Sequence, residues 1–449
     1  MVLNLLITRS VLNAKMREKM NVIMIISHDT GKHLGCYGKR VETPNLNKIA
    51  KDGVIFTNFF CTAPQCSPSR ASLLTGRYPH NHGLIGLTHR GFRLNRDEIL
   101  LLPILAGNGY LTCFFGFQHE STNPYALGYQ KVFKPKTNSC IDVVPVLLDF
   151  LRNKPKSPFF LMVGFSETHR PFPRYEGPVE KIEPLPYLPD EPDVRKDVEG
   201  LNMLIRRMDK SVGLILNAIE ELGLDENTLL IYTTDHGIAF PGAKATLFDP
   251  GIEIALLMRG PEPFQGGKKI DALLSNIDLM PTILEICGAP VPSSVQGKSV
   301  LSLLRGEKTK LHQEIYFELT YHVAYDPMRG VRDERYKYIR SFEWRPFWFP
   351  PNVDPGLSKE VARIHGYFDK PRPAEMLFDL HKDPYERMNL AGDPSYLDVL
   401  KDMRSKLYLW MKNTGDPLLV QGYVPPPPGA VVTPPRSYEP HDLDPFPYS

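Results

Sequence analysis

Three strand-length runs, residues 21–27, 159–165 and 229–234, are apolar almost without interruption rather than at every second position. A strand that reads this way is buried on both faces, which points to the interior of a parallel sheet covered by helices. The intervening segments supply those helices. Met208, Val212, Ile215, Ile219 and Leu222 recur at spacings of four and three, the stripe of an amphipathic helix over about 199–222 that Gly223 closes. Pro44 opens a helix that Gly53 ends, and residues 98–106, 141–151 and 278–286 read as further helices. Shorter strands are expected at 54–56 and 110–115. Strand and helix therefore alternate up to about residue 308, and the expected fold class is α/β with a large, mostly parallel central sheet.

Beyond that point the pattern changes. Residues 314–319 and 336–341 alternate as in a small antiparallel sheet, and a helix over 396–411 closes it. The expected division is an N-terminal extension at 1–19, a catalytic domain at 20–308, a smaller α+β domain at 309–415 and a Pro-rich extended tail at 416–449. Pro425 to Pro428 are consecutive, which favours an extended tail. A length of 449 residues allows this division. The first residues carry no cationic region ahead of their apolar stretch and no small-residue cleavage site, so no secretory signal is read there. No apolar run is long enough to span a bilayer, and no membrane partner is expected. Cysteines 36, 61, 66, 113, 140 and 287 lack a disulfide or zinc spacing. That suits a reduced compartment, and a cytoplasmic location is expected. A net charge of +2 leaves no basic footprint for nucleic acid.

The strands end in chemistry. His28 and Asp29 follow the first run, Glu167 and His169 the second, Asp235 and His236 the third, and His119 follows the strand at 110–115. Any one of these reads equally well as a turn or cap. Together, at the sheet edge where α/β proteins bind ligands, they offer the carboxylates and imidazoles a divalent metal needs. A second feature is Cys66-Ser67-Pro68-Ser69-Arg70. Ser67 suits an N-cap, Pro68 a first helical position and Gly76 a left-handed stop, so a short helix is expected to begin just after Cys66. The thiol then faces free N–H groups at the positive helix end, with Arg70 one turn on, as for a reactive residue meeting an anion. The ordinary alternative is a buried structural cysteine. A thiolate phosphatase loop is disfavoured, because it places five residues between Cys and Arg and here there are three.

Cys-x-Pro-x-Arg, extended through Ala71-Ser72-Leu73-Leu74-Thr75-Gly76, resembles the signature of the type I sulfatases, in which the cysteine is oxidised to Cα-formylglycine. Residues 165–170, 207–214, 235–242, 325–329 and 377–386 also match, and within the family the chain looks like its sulfamidase (heparan N-sulfatase) branch. The resemblance implies an alkaline-phosphatase-like sandwich with a smaller C-terminal domain. It implies hydrolysis of a sulfate ester or sulfamate on an N-sulfoglucosamine-like sugar, one divalent metal, usually calcium, and a formylglycine-generating maturation enzyme as partner.

Carried over to this sequence, the metal ligands are His28, Asp29, Cys66 as formylglycine, Asp235 and His236. Arg70 would hold the formylglycine hydrate, His119 and His169 would contact the sulfate or leaving group, and Lys244 would clamp a sulfate oxygen. Glu167 and Arg170 would lie near the substrate, while Glu318, His322, Tyr325 and Arg329 would read the sugar. One hydroxyl of the hydrate attacks sulfur, the other expels sulfate and restores the aldehyde, and a histidine, His119 or His169, protonates the leaving group. Three departures stand out. His28 replaces the first Asp of an Asp-Asp pair, and Asp235-His236 replaces Asp-Asn, so manganese, zinc or iron become alternatives to calcium. Phe117 replaces the lysine of a Gly-Lys-x-His segment, leaving Arg90 or Arg170 to compensate. Phosphomonoester or phosphonate hydrolysis on the same scaffold, and an inactive polyanion-binding relative, are the competing readings; a homo-oligomer is left open.

Overall fold

A computed structural model of the chain describes residues 19–343, 347–434 and 437. The expected extension at 1–19, Lys19 apart, and the tail beyond 434, Ser437 apart, lie outside the described residues.

The central sheet is built from β1 (Asn21–Ser27), β2 (Val54–Phe56), β3 (Leu111–Gly116), β4 (Lys131–Phe133), β5 (Phe159–Gly164), β6 (Thr228–Thr234), β7 (Leu256–Arg259) and β8 (Lys268–Ile270). Their order is β4-β3-β5-β1-β6-β7-β2-β8. The three uninterrupted apolar runs are thus the adjacent central strands β5, β1 and β6, paired in parallel. Alternate side chains enter opposite cores: Val22, Met24 and Ile26 pack on one face, Ile23 and Ile25 on the other. Each such aliphatic side chain, withdrawn from water, contributes about 1.5–3 kcal/mol. β7 runs antiparallel to both β6 and β2, because residues 235–255 stay at the carboxyl edge of the sheet and feed β7 from that end.

On the face of Ile23 and Ile25 lie α3 (Cys140–Arg152) and α4 (Pro192–Glu221); on the other lie α2 (Cys66–Thr75) and α5 (Leu279–Ile286). α1 (Pro44–Asp52) keeps its expected bounds. α4 begins seven residues before the expected 199, with Pro192 in its first turn and Val194 and Val198 continuing the buried stripe. α2 begins two residues earlier than expected. Gln65, not Ser67, is the extended cap residue, and the Ser67 hydroxyl instead accepts the backbone N–H of Thr88. Cys66 is therefore the first helical residue. Gly76 ends the helix in the left-handed conformation, as expected.

The smaller sheet is an antiparallel meander of β9 (Ile315–Tyr321), β10 (Tyr325–Arg332), β11 (Tyr336–Ser341) and β12 (Glu375–Asp379). Phe317, Leu319 and Met328 join the core of the large sheet, while Val331, Tyr338 and Leu377 pack on α6 (Leu397–Thr414) through Met403, Leu407 and Trp410. The tail does not run free from residue 416. α7 (Pro417–Gln421) follows, capped by Asp416, whose carboxylate accepts the N–H of Leu418 at 3.0 Å. Tyr321 then donates to the carbonyl of Val424, and the N–H of Thr433 donates to Val323. Burial of Leu418 and Val424 holds this segment down despite its prolines.

Candidate active site

β1, β5, β6 and the N-terminus of α2 end at one point on the carboxyl edge of the large sheet. Asp29 leaves β1 with φ of 55°, a conformation aspartate tolerates better than most side chains. One oxygen of Asp235 holds that turn by accepting the N–H groups of Asp29 and His236, both at 2.9 Å. The other oxygen accepts Nε of Arg70 at 2.9 Å and lies 3.9 Å from Nε2 of His28. Asp29 is the hub. Its Oδ1 lies 2.7 Å from Nδ1 of His28 and 2.9 Å from Nε2 of His236, and its Oδ2 accepts Nζ of Lys244 at 2.7 Å.

Sγ of Cys66 sits 3.2 Å from Nε2 of His236 and 3.9 Å from Asp29. Nδ1 of His236 lies 2.9 Å from the carbonyl of Gly237, which turns Nε2 towards the carboxylate and the thiol. Donor atoms of His28, Asp29, Cys66 and Asp235 all lie within 4.8 Å of one another, and all four residues are buried.

The electrostatics follow from this packing. Burial opposes charge on His28, yet Cys66, Asp29 and Asp235 outweigh it and raise its pKa to about 9. His236 is raised for the same reasons, with Asp235 and Asp29 foremost. Burial would raise the Cys66 thiol, but His28, Lys244 and His236 pull it well below its ordinary value. His169 and His119 go the other way. Burial lowers both, assisted at His169 by Lys244, and His119 falls to about 4. Nδ1 of His169 lies 2.6 Å from the carbonyl of Arg170 and its Nε2 is 3.5 Å from Lys244. Nε2 of His119 lies 2.8 Å from Nδ1 of His89. The two Nη groups of Arg70 are buried and, among the described residues, make no hydrogen bond, and the guanidinium carbon lies 4.9 Å from the Phe117 ring centre.

His28, Asp29, Cys66, Arg70, His119, His169, Asp235, His236 and Lys244 thus come together. His322 is buried nearby, with Lys244, Asp354 and Cys66 in its electrostatic surroundings. Other expected substrate contacts are committed elsewhere. Glu167 accepts the Ser139 hydroxyl and the N–H of Cys140, capping α3. Arg170 is clamped by both oxygens of Asp197. Arg329 pairs with Asp416 and Glu318, and Glu318 in turn holds His80. Tyr325 packs on Tyr321 and Tyr423 and accepts the N–H of Val424. None of these five turns its polar group to the cysteine. Sequence reasoning missed Asp354, which pairs with Lys244 at 2.9 Å, and His89, the partner of His119. His89 sits in a single 3-10 turn, Thr88–Arg90, and Asp354 in a loop, neither long enough to carry a periodic pattern; the turn-like Asp354-Pro355-Gly356 carries no sign of the contact.

A mostly parallel sheet whose carboxyl edge gathers a low-pKa thiol, carboxylates and buried cations defines an α/β hydrolytic enzyme for an anionic ester. The sulfatase family model matches residues 20–289, and that of the N-sulphoglucosamine sulphohydrolase C-terminal region matches residues 242–361. Human N-sulphoglucosamine sulphohydrolase is 30% identical, over 88% of this chain and 91% of its own length. Among solved structures, a 2-O GAG sulfatase superposes with a TM-score of 0.73 at 22% identity, covering 94% of this chain and 99% of that one. The phosphonate monoester hydrolase of Agrobacterium radiobacter gives 0.68 at 19%, covering 88% and 96%. The chain belongs to the sulfatase family. It is a sulfuric ester hydrolase by that membership, and among the described residues no helix is long and apolar enough to cross a membrane.

Proposed function

We propose that this enzyme hydrolyses a sulfate ester or sulfamate on a glucosamine-type sugar, through formylglycine made from Cys66 by a maturation enzyme. The observation that carries this is the thiol at the first position of α2 beside Arg70, inside a cluster of two carboxylates and two imidazoles. The catalytic domain is 20–308 and the smaller domain 309–415. All six cysteines are unpaired, which supports a reducing compartment such as the cytoplasm.

The donor set fits one divalent ion held by His28, Asp29, Asp235 and residue 66 as formylglycine, with His236 beside Asp29 as a further ligand. Two imidazoles beside the carboxylates suit manganese, zinc or iron better than the all-oxygen shell calcium prefers. When present, the ion polarises the sulfate oxygens, and the hydrated aldehyde supplies the attacking oxygen and later releases sulfate. Arg70, fixed through Nε on Asp235, offers its Nη donors to the anion. Lys244, held between Asp29 and Asp354, adds a second positive charge. His119, a hydrogen-bonding neighbour of Cys66, takes up the proton that the attacking hydrate hydroxyl releases and passes it to the leaving nitrogen or oxygen. Both histidines are neutral in the free site, but His169 has Lys244 beside it, while His119 has His89 as a neighbour for proton exchange.

The test is the chain co-expressed with a formylglycine-generating enzyme. Mass spectrometry of the peptide ending at Arg70 should show loss of the thiol sulfur. N-sulfated glucosamine and an aryl sulfate should be hydrolysed in preference to an aryl phosphate, and Cys66→Ala should lower turnover by at least about a thousandfold. A preference for the phosphate, or an active enzyme carrying only the unmodified thiol, overturns the reading.

A further inference from the structure

Next to His119 a cleft of 560 Å³ opens between the loops that leave the carboxyl ends of β3 and β4. Its volume is that of a small-molecule site. Phe114, Phe117, Val132 and Phe133 give it apolar walls, and Gln118 and Asn138 are among its polar groups. The charges are one-sided. Two lysines, Lys134 and Lys136, and two histidines, His89 and His119, line it, with no aspartate or glutamate among the described residues.

The lysines differ from the other cations around the site. Arg70, Lys244, Arg170 and Arg329 are each tied to a buried carboxylate. Lys134 and Lys136 are exposed, and among the described residues neither is ion-paired. His119 fixes the direction, since it borders the cleft on one side and has Cys66 as a hydrogen-bonding neighbour on the other. A substrate with its scissile group at Cys66 therefore extends past His119 into this cleft.

We propose that the cleft is a second anion subsite, in which the aromatic walls pack against the sugar and Lys134 and Lys136 bind a further sulfate or carboxylate on it. This rests on the sulfatase reading and narrows it to sugars with an additional acidic group. Lysine suits that task, because an ammonium serves a tetrahedral or planar oxyanion as a mobile point charge. The aromatic walls supply packing area without competing acceptors.

The test compares the parent with K134Q/K136Q, two exposed changes that leave the fold intact. Glucosamine N-sulfate and glucosamine N,6-disulfate are the substrates. The parent should prefer the disulfated sugar in kcat/KM, and the variant should lose that preference about tenfold, through KM, as expected for loss of charged hydrogen bonds. A parent with no preference, or a variant that keeps it, overturns the subsite. Calorimetric titration of full-length Cys66→Ala with glucosamine N,6-disulfate is independent of turnover. Affinity should fall as salt rises and fall about tenfold when the lysine changes are added. If neither sugar is hydrolysed, the functional reading fails while this titration still decides the subsite: binding indifferent to the lysines refutes it.

Discussion

Phe117 stands in Gly116-Phe117-Gln118-His119, where the resemblance to the sulfatases implies a lysine, and its surroundings describe what a cation there would meet. The ring is buried, with its centre 4.7 Å from that of His28 and the Arg70 guanidinium 4.9 Å away. Its negative face complements the guanidinium, and the ring packs tilted against His28. Phe117→Lys would place an ammonium against the Arg70 guanidinium and remove the face that Arg70 rests on. It is expected to lower stability by about 2 kcal/mol or more and to decrease sulfate turnover rather than restore a missing function. Urea unfolding and kcat/KM on an aryl sulfate would check this; a stable, faster variant would show that the pocket is built differently. At this scale much of the site was legible in the sequence. His28, Asp29, Asp235 and His236 follow uninterrupted apolar runs, and Cys66 stands at a recognisable helix start. Asp354 was not legible, because it reaches Lys244 from a loop more than a hundred residues further on.

The strand pair β9 and β10 shows where element-level reading succeeds and where it stops. Alternation at 314–319 announces β9, but β10, which opens on Tyr325-Asp326-Pro327, has no such pattern and is not expected as a strand, and the partners of the side chains on both are not legible. Glu318 lies in the regular part of the ladder, opposite Arg329, and faces it and His80; a register shift between Leu319 and Tyr321 then breaks the alternation, and His322 ends near the site. Arg329 also fixes Asp416, the residue that caps α7 and anchors the tail. That tail reaches back to the site's rim, where the Arg90 guanidinium donates to Thr433 and the Arg90 carbonyl accepts the N–H of Val431. Arg329→Leu would leave two buried carboxylates without their cation, which costs about 3–5 kcal/mol when one partner of such a network is removed. The expected results are a large fall in the urea midpoint and faster proteolysis after residue 416. A variant that melts with the parent would mean the network is not what holds β10 to the tail.

Over the whole molecule, stability is expected to be lost in mild acid, and two histidines remote from the catalytic cluster make the argument specific. Nδ1 of His82 accepts the N–H of Leu84 at 3.2 Å, and its Nε2 lies 3.2 Å from the Ser72 hydroxyl. Only the neutral ring satisfies both contacts, and burial drives its pKa from 6.5 to about 3. His33, beside Asn202, is driven by burial to about 4. Below pH 6.5 the unfolded chain takes up these protons while the folded protein does not. Stability then falls with pH by about 1.4 kcal/mol per unit for each group, until the folded pKa is reached. Glu386 works in the opposite sense. Burial raises its carboxyl from 4.5 to about 7 despite Lys337, so its contribution is lost as pH rises through that interval and offsets one of the two histidines. His82→Gln keeps an acceptor for Leu84 and a donor for Ser72 but cannot titrate. It is expected to be less stable than the parent at pH 7, with the gap closing by about 2 kcal/mol on going from pH 6.5 to pH 5. Urea midpoints of the two proteins across that range measure the difference, and a gap independent of pH would show that His82 is not the proton-linked group.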